Sequence, residues 1–248
     1  MKTAAKVVEA KRGDVRMKNA VNRNQTQLVT DLDPRSIVSE AYRILKTNLT
    51  FKNIERKLKN IAITSATPGE GKSTTAANLA NSMAQSGKNV ILVDADLRKP
   101  TSHKIFGFSV FEGLTNSLVE GTDPLSLCKT YQAHGPRILT AGTLPPNPSE
   151  LLGSRRMKAV LDRLGEDADF VIIDCPPILG LNDSLALAPS VDGFLLVIGS
   201  GKVPKNTIMM AKQTLEKVEA NILGAVLNGF DVRDGGSYHS YYSYGEQR

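Results

Sequence analysis

Between residues 60 and 230 the chain alternates short, unbroken apolar runs with longer stretches of helical period. The apolar runs are NIAITSA (60–66), NVILVDAD (89–96), PRILTAG (136–142), DFVIIDCPP (169–177), GFLLVIGS (193–200) and NILGAVLNGF (221–230). None alternates apolar with polar residues, so each strand expects burial on both faces. That pattern predicts an α/β fold with a mostly parallel sheet flanked by helices. The intervening helices are predicted over GKSTTAANLANSMAQSG, ended by Gly87, over GLTNSLVEG, over SLALAPSVD, and over PKNTIMMAKQTLEKVEA, opened by Pro204. PSELLGSRRMKAVLDRLGED reads as one continuous helix with Ser149 near its start. Ligands of such sheets bind at the C-terminal ends of the strands.

Upstream, residues 35–53 also have helical period. Ile37, Ala41, Ile44, Leu45, Asn48 and Phe51 fall on one side and are expected to face the core. Glu40, Arg43 and Lys46 form a charged stripe on the other side. These elements define one domain over residues 31–232, with an arm at 1–30 and a tail at 233–248.

Charge changes the picture only at the ends. The formal net charge is +6, and residues 1–30 hold +5 of it through Lys2, Lys6, Lys11, Arg12, Arg16, Lys18 and Arg23 against Glu9 and Asp14. The arm reads as a flexible or weakly helical solvated tail, or as a peripheral contact with anionic lipid, where each basic residue is worth about 1 kcal/mol. No nucleic-acid partner is expected. The tail, GGSYHSYYSYGEQR, carries Tyr238, Tyr241, Tyr242 and Tyr244, four of the six tyrosines. On composition alone it is a sticky, disordered segment. Two cysteines are too few for a disulfide framework, three scattered histidines have no metal-ligand spacing, and no apolar run approaches the 18–20 residues of a membrane span. The basic N-terminus lacks the apolar core of a secretory signal. A cytoplasmic protein is expected.

Three motifs sit where the strands end. Ala66–Ser73 reads ATPGEGKS, a phosphate loop with Ala66 in place of the usual first glycine. Gly69 and Gly71 let the backbone approach phosphate, and the N–H groups of Glu70, Ser73 and Thr74 belong to the same cradle. Lys72 is expected at the β- and γ-phosphates, and the Ser73 hydroxyl at Mg²⁺. The second motif is ILVDADLR, whose Asp94 and Asp96 point the same way if the strand persists; otherwise they cap a loop. The third is VIIDCPP, whose Asp174 has the setting of a Mg²⁺-holding carboxylate. Cys175 reads as a small core residue. Arg98 reads either as a phosphate contact or as a partner of Asp96 or Asp94. Asn228 reads either as an adenine contact or as a turn former before Gly229.

Together these motifs, PPNPSELL at 145–152 and the tyrosine-rich tail resemble the bacterial tyrosine kinases of the capsule and exopolysaccharide branch, over residues 36–248. The resemblance implies the P-loop fold shared with partition ATPases. It also implies an ATP- and Mg²⁺-dependent protein-tyrosine kinase. Asp94 would be base or orienter of the acceptor hydroxyl and a metal neighbour, and Asp96 would assist on both sides. Lys72 would contact the phosphates, and Ser73 and Asp174 would complete the metal site. The tail would be an autophosphorylation cluster modified in trans. Glu40, Arg43 and Lys46 would line the interface of a ring-shaped homo-oligomer, with Lys46 departing from the family's arginine; the alternative is a solvated helix face. A separate membrane adaptor of the chain-length determinant type would recruit the kinase to the inner face of the membrane. Protein tyrosine substrates are implied as well.

The competing enzyme class is a hydrolytic ATPase switch of the partition or septum-placement type. Those proteins carry a signature lysine where this chain has Thr67, which argues against them. A nucleotide-gated assembly protein is the non-enzymatic alternative.

Overall fold

The structure is a computed structural model that describes residues 5–6, 28–56 and 58–230. The elements run in the order β1 (Ala5–Lys6), α1 (Val29–Leu32), α2 (Ile37–Arg56), β2 (Asn60–Ser65), α3 (Lys72–Ala84), β3 (Val90–Asp94), α4 (Ser102–Phe106) and α5 (Leu114–Glu120). Then come α6 (Pro124–Leu127), β4 (Lys129–Thr130), β5 (Arg137–Leu139), α7 (Pro148–Leu152), α8 (Arg155–Asp167), β6 (Phe170–Asp174) and α9 (Asp183–Ala186). The chain closes with a 3₁₀ turn (Ala188–Ser190), β7 (Gly193–Gly199), α10 (Lys205–Lys217) and β8 (Ile222–Asn228). The strands form one sheet in the order β1-β8-β7-β2-β6-β3-β5-β4, with every pairing parallel except the β4–β5 edge.

The unbroken apolar runs are explained by the pleat. On β2, Ile61 and Ile63 face one core while Ala62 faces the other; Leu195 and Val197 divide from Phe194 and Leu196 on β7 in the same way. The first core is closed by α2 and α3, the second by α5, α8 and α10. Each such fully buried aliphatic side chain contributes about 1.5–3 kcal/mol. With helices on both faces, the C-terminal ends of β2, β3, β6, β7 and β8 share one open edge.

Four expectations are corrected. The helix expected from Ser149 is two helices, because Gly153 and Ser154 interrupt it; the Ser154 hydroxyl accepts the Met157 N–H at 3.2 Å and starts α8 afresh, a cap worth about 1 kcal/mol. On α2 the buried face is Val38, Ala41, Tyr42, Leu45 and Leu49, while Ile37, Ile44 and Phe51 are 43%, 39% and 64% exposed. Apolar residues surround most of that helix, so its period alone left the phase undecided. The arm expected over 1–30 loses both ends of its independence: Ala5 and Lys6 pair with Val226 and Leu227, and Leu28 and Thr30 are buried in the domain. Finally, β3 ends at Asp94, so Asp94 and Asp96 do not continue as one strand face.

α3 stops at Ala84, and Gly87 takes the left-handed conformation (φ +83°) that turns the chain away, as its position suggested.

Candidate functional site

The loop between β2 and α3 is held open by its glycines. Gly69 and Gly71 have φ of +81° and +94°, and a Cβ on Gly71 would come within 1.9 Å of the Asn228 side-chain nitrogen. Lys72, Ser73 and Thr74 form the first turn of α3, whose N–H groups have no carbonyl within the helix and face an incoming anion. The carboxylate of Glu70, buried beneath the loop, accepts hydrogen bonds from the Thr67 N–H (2.6 Å), the Thr67 hydroxyl (3.0 Å) and the Gly199 N–H (3.0 Å). Glu70 therefore braces the loop with its side chain and leaves only its backbone for a nucleotide.

Behind the loop, one ammonium meets two carboxylates, with the buried Asp94 close enough to add to their pull. Lys72 Nζ lies 2.8 Å from Asp96 Oδ2, 3.6 Å from Asp174 Oδ1 and 3.2 Å from the Ser73 hydroxyl. Burial works to lower the Lys72 pKa, but Asp174 and Asp96 override it and hold the ammonium charged. Asp94 and Asp174 are opposite each other in the β3–β6 register. Their roles diverge there. Asp94 Oδ2 accepts the Thr101 N–H (3.1 Å), the Ser102 N–H (2.9 Å) and the Ser102 hydroxyl (2.5 Å), so it caps the following turn. Burial still raises its pKa, against the pull of Ser102. Asp96 instead turns to Lys72.

Asp174 Oδ1 is buried and accepts no hydrogen bond, and burial pushes this carboxyl up to about 7 despite Lys72. A buried carboxylate oxygen with no hydrogen bond, its ammonium neighbour 3.6 Å away, fits a hard, oxygen-seeking cation such as Mg²⁺ when a serine hydroxyl stands close by. Among the described residues no three acidic, histidine or cysteine side chains cage a metal unaided. A Mg²⁺ ion completed by phosphate oxygens and water does not require such a cage.

Arg98 joins neither the phosphate loop nor the Asp94–Asp96 pair. Its Nε and Nη2 donate to Asp183 at 2.6 and 3.1 Å, and the Ser149 hydroxyl donates to the same carboxylate. Burial would raise Asp183, but Arg98 and Ser149 outweigh it and hold the carboxyl below its usual range. The PSELL motif is thus fastened to the loops after β3 and β6. Asn228 donates to the Glu70 carbonyl at 3.0 Å, while its buried Oδ1 has no partner. That free acceptor suits an amino group such as adenine's. Cys175 is buried with its thiol pKa raised by desolvation, as a small core residue should be.

The remaining candidates lie elsewhere. Glu40 and Arg43 pair with each other at 2.7 Å on α2, and Arg43 also donates to the Pro34 carbonyl; Lys46 is half-buried on the same helix. Tyr238, Tyr241, Tyr242 and Tyr244 lie outside the described residues. Sequence reasoning missed the bracing carboxylate of Glu70, the clamp residue Asp183 and Lys202, whose ammonium donates to the Gly69 carbonyl at 2.8 Å. For Lys202 a signal existed: Gly-Ser-Gly-Lys, a tight turn straight after an interior strand.

Comparison with known proteins agrees with this geometry. The family model described as an AAA domain matches residues 58–223. The chain is 44% identical over 230 residues to the tyrosine-protein kinase YwqD of Bacillus subtilis, covering 92% of this chain and 94% of that protein. It is 34% identical over 212 residues to the tyrosine-protein kinase CpsD of Streptococcus agalactiae, covering 84% and 90%. Among solved structures, the kinase domain of the Escherichia coli tyrosine kinase ETK superposes with a TM-score of 0.84 at 32% identity, covering 92% of this chain and 90% of that one. The chimerical protein CapA2B2 superposes with a TM-score of 0.78 at 36% identity, covering 82% and 89%.

Proposed function

The chain belongs to the bacterial tyrosine-protein kinases, and we propose that it phosphorylates the tyrosine cluster of its own tail on a neighbouring copy, with Mg²⁺ as cofactor. Phosphotransfer and the ATP-binding loop are properties of the family; the acceptor, the metal and the assembly are the proposal. The observation that carries it is the edge from which the tail departs. β8 ends at Asn228, whose side chain bonds Glu70 of the phosphate loop, so the chain leaves the described domain beside the nucleotide site.

The chemistry follows from the cluster around Lys72. Phosphoryl transfer passes through a loose transition state, so catalysis is mostly positioning and charge neutralisation. Without nucleotide, Lys72 is bonded to Asp96. Phosphate oxygens compete for the same ammonium, and their arrival releases the Asp96 carboxylate. A phenol, with a pKa near 10, keeps its proton at neutral pH and gains from such an acceptor during attack. Asp94 fixes the turn that carries Asp96 and would orient the acceptor hydroxyl should that turn open. Mg²⁺ held by Ser73 and Asp174 would neutralise the β- and γ-phosphates.

Each tail phosphate would add about −1.5 to −2 charge at pH 7. Several would repel one another and the acidic site, which loosens the assembly. For that assembly α2 offers Glu40, Arg43 and Lys46 beside an exposed apolar row, Ile37, Ile44 and Phe51, spaced seven residues apart. No helix among the described residues is long and apolar enough to cross a membrane. Recruitment by a membrane adaptor, with a role in capsule or exopolysaccharide synthesis or export, completes the reading; a solved relative that is itself a chimerical protein supports a second chain. The basic arm is a further lipid contact in this scheme.

Mixing two variants tests it. Lys72→Met with an intact tail is the acceptor, and a protein with Tyr238, Tyr241, Tyr242 and Tyr244 all changed to Phe is the enzyme. With γ-labelled ATP and Mg²⁺, phosphotyrosine is expected on the first protein only. Label confined to the Phe variant, or release of free phosphate alone, would overturn the assignment.

A further inference from the structure

The turn that ends β7 is fastened to the nucleotide site by two bonds and closed on itself by a third. The Gly199 N–H donates to Glu70, the Ser200 N–H donates to the Asn228 carbonyl at 2.7 Å, and the Lys202 N–H closes the turn on the Gly199 carbonyl at 3.1 Å. Gly201 supplies the left-handed residue the turn needs, with φ +68°. What this anchored turn presents is a single exposed lysine. The Lys202 ammonium reaches back to the Gly69 carbonyl, at the crest of the phosphate loop. Its stem crosses Gly199 so closely that a Cβ there would meet Lys202 Cδ at 2.9 Å, Cβ at 3.2 Å and Cγ at 3.3 Å. Glycine at 199 therefore makes room for the lysine to lie over the loop.

A neutral carbonyl is a modest partner for an ammonium. Among the described residues no carboxylate stands within ion-pair distance of Lys202, whereas Lys72 is already claimed by Asp96 and Asp174. Three buried carboxylates against one ammonium leave the site short of positive charge before ATP adds more negative charge. Thr67, on the same loop, spends its hydroxyl and N–H on Glu70 and offers no cation.

We propose that Lys202 is a second phosphate-binding cation of this kinase, parked on the Gly69 carbonyl without nucleotide and transferred to the terminal phosphate of ATP on binding. The proposal rests on the ATP-binding kinase reading and adds to it a residue from the turn after β7, the strand paired with β2. An ammonium bonded to an anionic phosphate gains an ion pair that a neutral carbonyl does not offer, which supplies the drive for the transfer.

The alternative role for the same contact is a brace that merely holds the loop. The two differ in what they discriminate: a brace serves every nucleotide alike, while a terminal-phosphate contact favours ATP over ADP. Dissociation constants for ATP and ADP, each with Mg²⁺, are measured by calorimetry on the full chain, with autophosphorylation kcat and KM alongside. Lys202→Met is expected to weaken ATP about tenfold and ADP less than about twofold, the size of one charged hydrogen bond. Lys202→Arg should restore most of the preference. Gly199→Ala, which keeps the ammonium but crowds its stem, should lose part of it. Equal weakening of ATP and ADP in Lys202→Met, failure of Lys202→Arg to restore the ratio, or unchanged affinities would each overturn the proposal. A wild-type chain that binds neither nucleotide would instead overturn the kinase reading beneath it.

Discussion

Replacing Asp174 by Asn should make the nucleotide-free protein more stable at neutral pH while abolishing its activity. Asp174 is almost fully buried, one of its oxygens has no hydrogen bond, and its carboxyl is pushed up to about 7 from an ordinary 3.8. In the unfolded chain it ionises near its ordinary value. Between about pH 4 and pH 7 the folded state therefore holds a proton that the unfolded state has released. Stability then falls as pH rises, by 1.36 kcal/mol per unit for one fully linked proton. The favourable contribution is complete below about pH 4 and gone above about pH 7. Because the neighbouring Asp94 carboxyl is also raised by burial and interacts with it, the usable magnitude is on the order of 2–4 kcal/mol. The neutral amide avoids this cost and still offers Lys72 an oxygen, and Asp96 remains as its ion partner.

The assay is thermal unfolding of wild type and Asp174→Asn in EDTA without nucleotide, from pH 4 to pH 8. The difference between the two isolates this carboxyl from all others. At pH 8 the variant should melt roughly 5–10 °C higher for a chain of this size, and the advantage should shrink toward pH 4. Kinase activity should fall by at least about two orders of magnitude, since positioned charge is the larger part of phosphoryl-transfer catalysis. A variant that melts below wild type at pH 8, or a difference independent of pH, would refute the argument that Asp174 is a strained charge awaiting a cation.

Two further outcomes follow from the geometry away from Lys72. Arg98→Ala strands the buried Asp183 carboxylate and should cost about 2–3 kcal/mol in urea unfolding, below the usual range for a buried pair because Arg98 is 42% exposed; Arg98→Ala with Asp183→Asn should recover part of it, and simple additivity would contradict the pairing. Asp183 sits below the usual carboxylate range, so its contribution is present above about pH 4 and fades as pH falls further. Ile44→Asp, on the exposed row of α2, should lower the mass measured by light scattering without lowering the melting temperature by more than about 2 °C, since exposed substitutions rarely cost more than about 0.5 kcal/mol. A large stability loss would place Ile44 in the core after all.

How much of this was legible depended on whether the information was local. The β2–α3 loop, β3 and β6 were readable because each motif is local: a buried strand followed at once by a glycine turn after β2, and a buried strand ending in a carboxylate at β3 and β6. Lys72, Ser73 and Asp174 converge as their motifs imply. Where partners are distant in sequence, local chemistry could not choose among them. Arg98 had two acids within four residues and pairs with Asp183, 85 residues away, because the loops after β3 and β6 lie side by side at the sheet edge. On residue chemistry alone Asp94 and Asp96 formed one pair, and the difference between them is where β3 stops. Once the strand ends, Asp94 caps the Thr101–Ser102 turn and Asp96 is left facing the ammonium. Helix α2 failed for the opposite reason, an excess of signal. Apolar residues at 37, 38, 41, 42, 44, 45, 49 and 51 cover more than one face, so the core takes Tyr42, Leu45 and Leu49 and leaves Ile37, Ile44 and Phe51 outside. A helix with more apolar surface than its own core consumes has a remainder to bury, and on α2 that remainder runs beside Glu40 and Arg43, the positions the family resemblance assigns to contact between copies.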